Sequence, residues 1–148
     1  VSVTAAIYPP LPGITPLTQF FWDGIKQRKL LILQCQNCGH HVHVPRPVCN
    51  RCRSLDLQPV EMSGRATLYG YTVVMQAFHP YYTDKIPYTL AVVELVEEPG
   101  LRMTTQIVDC PEADLRTGMD VELVWTEVAP EMILPYFRPA TRTSGVAS

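Results

Sequence analysis

Cys35-Gln36-Asn37-Cys38, ten residues of spacer, and Cys49-Asn50-Arg51-Cys52 form the stretch that decides the fold. Each Cys-x-x-Cys pair bends into a knuckle that turns two thiolates to one side, and two such pairs supply the four ligands of a tetrahedral sulfur site. Cys35, Cys38, Cys49 and Cys52 are therefore the candidate metal ligands, and Zn2+ is the expected cofactor. Gly39 follows the first pair, where the knuckle requires a positive φ that glycine adopts cheaply, and Pro45 and Pro47 stiffen the spacer. The whole reads as a zinc ribbon, in which the metal contributes folding energy and not chemistry.

The same cysteines admit two other readings. Disulfides are disfavoured by the odd fifth cysteine, Cys110, and by the lack of a basic-then-apolar leader at Val1, which makes a cytoplasmic protein the expectation. Iron binds the same four thiolates in a rubredoxin-like site and stays open at this point. His40, His41 and His43 are close enough to serve as ligands, but four cysteines fill the shell, so they are expected as polar residues on the ribbon surface. Cys110, at a strand end before Pro111, is expected to be a small apolar filler.

Outward from the ribbon, the chain divides into electrically different parts. Between Lys26 and Arg53 there are six basic residues and no acid, whereas Ser54 to Ser148 carries thirteen acids against six bases. A four-thiolate zinc site is itself about −2, which accounts for some of the ribbon's positive charge. The remainder suggests a face that meets a phosphate-bearing ligand or an acidic partner. With 148 residues, 47% hydrophobic and 18% charged, the chain has room for one core plus a small stapled module. No apolar run approaches the ~20 residues of a membrane span.

Four segments are expected: an N-terminal arm with an amphipathic helix (1–29), the rubredoxin-like ribbon (30–60), a β-domain (61–140) and a C-terminal tail (141–148). Pro9, Pro10, Pro12 and Gly13 keep the arm free of regular structure. Thr15-Pro16 reads as a helix start, and Leu17, Phe20, Phe21 and Ile25 share one face of a helix of about four turns. Trp22 lies on its flank, either packed under the ribbon or arm or presented to a partner. Leu30–Leu33 reads as a short strand into the first knuckle.

After Ser54 the periodicity becomes two. Strands are expected at Arg65–Gln76, Tyr88–Val96, Leu101–Val108, Val121–Val128 and Ile133–Phe137, with Gly70 where the first must bend and a helical turn near Pro111–Leu115. Five strands with a short helix between the third and fourth follow the OB-fold plan, so the fold class is mainly β. The loop Ala77–Pro87, rich in aromatics including Tyr81 and Tyr82, lies where OB barrels commonly bind.

The order of these parts is recognisable. Phe21-Trp22-Asp23-Gly24, the four cysteines with Pro45-Arg46 between them, Gly64 and Tyr71-Thr72-Val73-Val74 come first. Pro87-Tyr88, Val93-Glu94-Leu95, Gly118-Met119 and Val121-Glu122-Leu123 complete the set. Over about residues 15–140 the chain resembles the zinc-ribbon/OB-fold proteins associated with acyl-CoA metabolism, once catalogued only as a domain of unknown function. The resemblance implies a non-catalytic accessory subunit in a hetero-oligomer with a thiolase-like enzyme (thiolase, aldolase or acyltransferase), with acyl-CoA at the interface. Arg28, Lys29, Arg46 and Arg51 are then candidates for the coenzyme A phosphates or an acidic partner, and Phe21, Trp22, Tyr81 and Tyr82 for further contacts. A nucleic-acid-binding module is the alternative, opposed by the acidic barrel, which would repel a phosphate backbone. An autonomous enzyme would need a pair such as His79 and Asp84 to meet in the aromatic loop.

Overall fold

Thr15 and Thr18 close a turn on each other, the Thr18 amide donating to the Thr15 carbonyl and the Thr15 amide to Thr18 Oγ1, both at 3.0 Å. In the computed structural model, which describes residues 5–141, helix α1 (Gln19–Lys26) begins only after this turn. The expected four-turn helix is thus a two-turn one, and Leu17, outside it, is exposed. The helix stops in a Schellman cap. The Lys29 amide returns to Gly24 and the Arg28 amide to Ile25, with Arg28 at φ 59°. The preceding arm has no regular structure from Ala5 to Ile14, and the expected tail lies, from 142 onward, outside the described residues.

The ribbon is a three-stranded antiparallel sheet in the order β2 (His41–Val42), β1 (Leu31–Cys35), β3 (Leu57–Glu61). Patterning announces neither β2, too short to alternate, nor β3, which Pro59 interrupts. Proline is tolerated in β3 because it is an edge strand. Strand β1 separates two cores by alternation: Ile32, like Leu30 before it, joins the helix and barrel, while Leu33 and Cys35 pack with Val42 and Cys49.

The second half closes into a barrel of β4 (Arg65–Val74), β5 (Tyr88–Leu95), β6 (Arg102–Ile107), β8 (Met132–Pro139) and β7 (Asp120–Ala129), in that spatial order, with β7 returning to β4. All pairs are antiparallel except β6 with β8. A single helical turn, Glu112–Asp114, falls between the third and fourth strands, as the OB plan requires. The inward alternation of Leu101, Met103, Thr105 and Ile107 holds, and the buried Thr105 hydroxyl donates to the Pro135 carbonyl at 2.7 Å. Strand β4 bends at a bulge between Leu68 and Gly70. Phe21, Ile25, Leu30, Ile32 and Met62 pack in one continuous core with barrel residues such as Leu68, Val93 and the fully buried Phe137. Helix, ribbon and barrel are therefore joined by packing as well as by the chain.

Candidate metal centre and its surroundings

The two knuckles are built alike. In the first, the Gly39 amide donates to the Cys35 carbonyl and the Cys35 amide to His40; in the second, the Arg53 amide donates to Cys49 and the Cys49 amide to Ser54, all within 2.8–2.9 Å. Gly39 has φ 77°, as its position demands, and Arg53 occupies the equivalent place at φ 64° without glycine's freedom. This repetition brings the four sulfurs together. Their Sγ atoms all lie within 4.8 Å of one another, with Cys35–Cys52 at 3.5 Å and Cys38–Cys49 at 3.7 Å.

These separations test what the cluster can hold. Metal–sulfur bonds of ~2.3 Å in a tetrahedron place sulfurs about 3.8 Å apart, whereas a disulfide requires ~2.05 Å. All five cysteines are free thiols. The disulfide reading fails and the four-cysteine metal geometry fits. Electrostatics agree: amides of each knuckle favour the thiolate of its first cysteine, from Cys38 and Asn37 onto Cys35 and from Cys52 and Arg51 onto Cys49. Asn37 Nδ2, 3.4 Å from Cys52 Sγ, does the same there. Cys38 alone moves up, to about 12, because burial and the three neighbouring sulfurs outweigh the pull of the His40 amide. Four crowded sulfurs, three of them drawn toward the thiolate and the fourth held back by its neighbours, are a donor set that a dication relieves.

The three histidines depart from expectation. They are neither ligands nor free surface residues. His40 Nδ1 lies 2.6 Å from Glu98 Oε2, and the His41 amide and Nδ1 each lie 3.2 Å from Oε1, with side chains only 16% and 11% exposed. Arg51 adds a guanidinium at 4.0 Å. Glu98 belongs to the turn between β5 and β6, so this clamp fastens the ribbon to the barrel. Its neighbour Glu97 accepts the Ser63 amide at 2.7 Å, holding the link between β3 and β4. His43 packs on Phe21, and burial lowers its pKa. No local signal reveals the clamp, since its partners stand 58 residues apart.

The other expected contact residues fall in separate places. Trp22 is half-buried, edge-on to Phe21 at 5.1 Å, and packs against the main core. Arg28 caps the helix and borders a groove with Arg65 and Glu122; Lys29 is exposed beside it. Arg46 lines a second groove with His41 and Glu98 at the ribbon–barrel junction. Tyr81 and Tyr82 lie at the other end of β5, about 25 Å away at the usual rise per residue. They therefore do not share a site with the ribbon cations. His79 and Asp84 are engaged apart: His79 Nδ1 accepts the Tyr81 amide and Asp84 pairs with Lys85. Cys110 is half-buried against the core, where burial raises its pKa, so it fits the filler role.

A four-cysteine ribbon fused through one core to an OB barrel defines the class of protein. Comparison with known proteins agrees. The family models described as "ChsH2, rubredoxin-like zinc ribbon domain" and "ChsH2, C-terminal OB-fold domain" match residues 22–58 and 59–126. A "DUF35 domain-containing scaffold protein" from Methanocaldococcus jannaschii is 38% identical over 72% of this chain and 75% of its own length. A "probable enoyl-CoA hydratase alpha subunit" from Thermomonospora curvata is 39% identical over 88% of this chain, which spans only 40% of that longer protein. A solved structure, the "Ltp2-ChsH2(DUF35) aldolase", superposes with TM-score 0.79 at 37% identity, covering 87% of this chain and 98% of the other. The chain belongs to the DUF35 family of zinc-ribbon/OB-fold proteins.

Proposed function

We propose that this chain is a zinc-holding, non-catalytic scaffold subunit whose partner is a thiolase-like enzyme acting on an acyl-CoA ester. The observation that carries the reading is the near-complete match to the DUF35 chain of an aldolase complex. Relatives named as scaffold proteins and as hydratase alpha subunits support it. Cys35, Cys38, Cys49 and Cys52 hold Zn2+, with sulfur spacing that suits the ion and a role confined to folding the ribbon. Zinc is preferred to iron because a closed four-thiolate site is the usual structural zinc site. The clamp keeps that ribbon in fixed register with the barrel, as a scaffold needs. Arg46 and Arg51, both beside Glu98, and Arg28 and Lys29, at the end of the helix, meet either the coenzyme A phosphates or acidic side chains of the partner, and half-buried Trp22 adds an apolar contact.

The test is native mass spectrometry of complexes captured through this chain from its source, with metal quantified in the same sample. One zinc per chain and a stoichiometric thiolase-sized partner are expected. Acyl-CoA turnover by the isolated chain, or retention on single-stranded nucleic acid at low salt with no protein partner, overturns the reading. Lys29→Glu combined with Arg46→Glu is expected to weaken capture of the partner or of the CoA ester while leaving the zinc content unchanged.

A further inference from the structure

The barrel mouth remote from the ribbon holds a cleft of about 410 Å³, within the range of small-molecule sites. Its wall is made of phenol rings. Tyr82 stacks on Tyr88 with centroids 4.8 Å apart and planes at 26°, and Tyr81 stands edge-on to Tyr82 at 5.0 Å. Tyr136, from β8, lines the cleft with Ile107 and Val108 from the end of β6. Flat apolar walls of this kind favour a flat apolar guest.

The polar groups decide its chemistry. Burial, followed by the nearby phenols, raises the pKa of both Tyr82 and Tyr136, so both hydroxyls stay protonated and serve as donors. Among the described residues Lys85 is the one cation lining the cleft, and it is engaged: its Nζ lies 3.1 Å from Asp84 Oδ1, donates to the Tyr81 carbonyl at 3.1 Å and sits 4.0 Å over the Tyr81 ring. Asp109 adds a negative charge to the rim. The cleft therefore offers hydrogen-bond donors with its lysine balanced by Asp84 and Asp109, and so favours an uncharged guest over an anionic one.

We infer that this tyrosine-lined cleft is a binding site for an uncharged planar ring compound bearing a hydroxyl or carbonyl oxygen, with the rings of Tyr82 and Tyr88 packing on its face and Tyr136 donating to its oxygen. The site lies at the end of β5 opposite the metal centre and shares no residue with it.

The full-length zinc-loaded chain is titrated calorimetrically with 2-naphthol and, separately, with naphthalene-2-sulfonate, which keeps the ring and adds a charge. Saturable binding of one 2-naphthol per chain is expected, with the sulfonate at least about tenfold weaker. Loss of one hydrogen bond in Tyr136→Phe should weaken 2-naphthol about five- to tenfold without changing the melting temperature. Tyr82→Leu, which removes the stacked wall, should weaken it further. Bound 2-naphthol should also slow alkylation of Cys110, which lines the same cleft, by N-ethylmaleimide. The inference is overturned by non-saturating 2-naphthol, by equal or tighter binding of the sulfonate, or by unchanged affinity in both variants.

Discussion

Arg53 sits in the left-handed region at the place where the first knuckle has Gly39. A side chain with a Cβ costs about 1 kcal/mol there, partly offset because glycine gains freedom in the unfolded chain. Arg53→Gly should stabilise the zinc-loaded protein by about 0.5–1 kcal/mol, read as a rise of roughly 2–4 °C in melting temperature, while Arg53→Ala should give no gain. Glu98 makes a second prediction at this scale. Burial raises its pKa, but the His41 amide and the His41 and His40 rings outweigh that, so its carboxyl titrates below the usual range. A depressed folded pKa contributes stability that is fully present above the unfolded value of about 4.3 and is lost as pH falls through the folded one. Glu98→Gln should therefore lower stability by about 1–3 kcal/mol at pH 7, and the gap from the parent should close as the pH drops below about 4. Differential scanning at several pH values checks this, and comparing the two proteins cancels the shared effect of cysteine protonation.

At the scale of elements, α1 depends on a glycine for contact and not for conformation. A Cβ built on Gly24 would lie 2.8 Å from Leu31 Cγ and Cδ1 and 3.0 Å from the Lys29 carbonyl. Helix propensity favours alanine by up to about 1 kcal/mol, but forcing apart helix and β1 costs about 1–3 kcal/mol. Gly24→Ala is expected to destabilise the protein by about 1 kcal/mol net in denaturant titration. The helix is shorter than its apolar period. Leu17, Phe20, Phe21 and Ile25 satisfy a helical period, yet Thr15 and Thr18 bond each other first and leave Leu17 outside. Periodicity marks which residues face inward; it does not mark where side-chain hydrogen bonds delay the first turn.

For the whole molecule, the shared core has a consequence for metal removal. Leu30, Ile32 and Met62 leave the ribbon to pack with Phe21 and the barrel, so loosening the ribbon withdraws support from both. Trp22 reports on the helix and Trp125, on β7, on the barrel. Chelation, or Cys35→Ser with Cys38→Ser, should lower a single cooperative transition in which fluorescence and far-ultraviolet circular dichroism still coincide. Two separate transitions would show that ribbon and barrel are energetically independent.

The sequence by itself determined the metal-type site and the barrel, because both rest on local regularities. Two Cys-x-x-Cys pairs require only short-range knuckle geometry, and strands such as β5 and β6 turn every second side chain inside. The glycine at 39 was legible for the same reason. Tertiary structure alone decided the rest. The Glu98 clamp joins residues 58 apart, the cleft draws its tyrosines from the β4–β5 loop, β5 and β8, and β1 divides its side chains between two cores. Such contacts follow from which surfaces meet once the elements pack, and packing over long separations leaves no period in the chain to read.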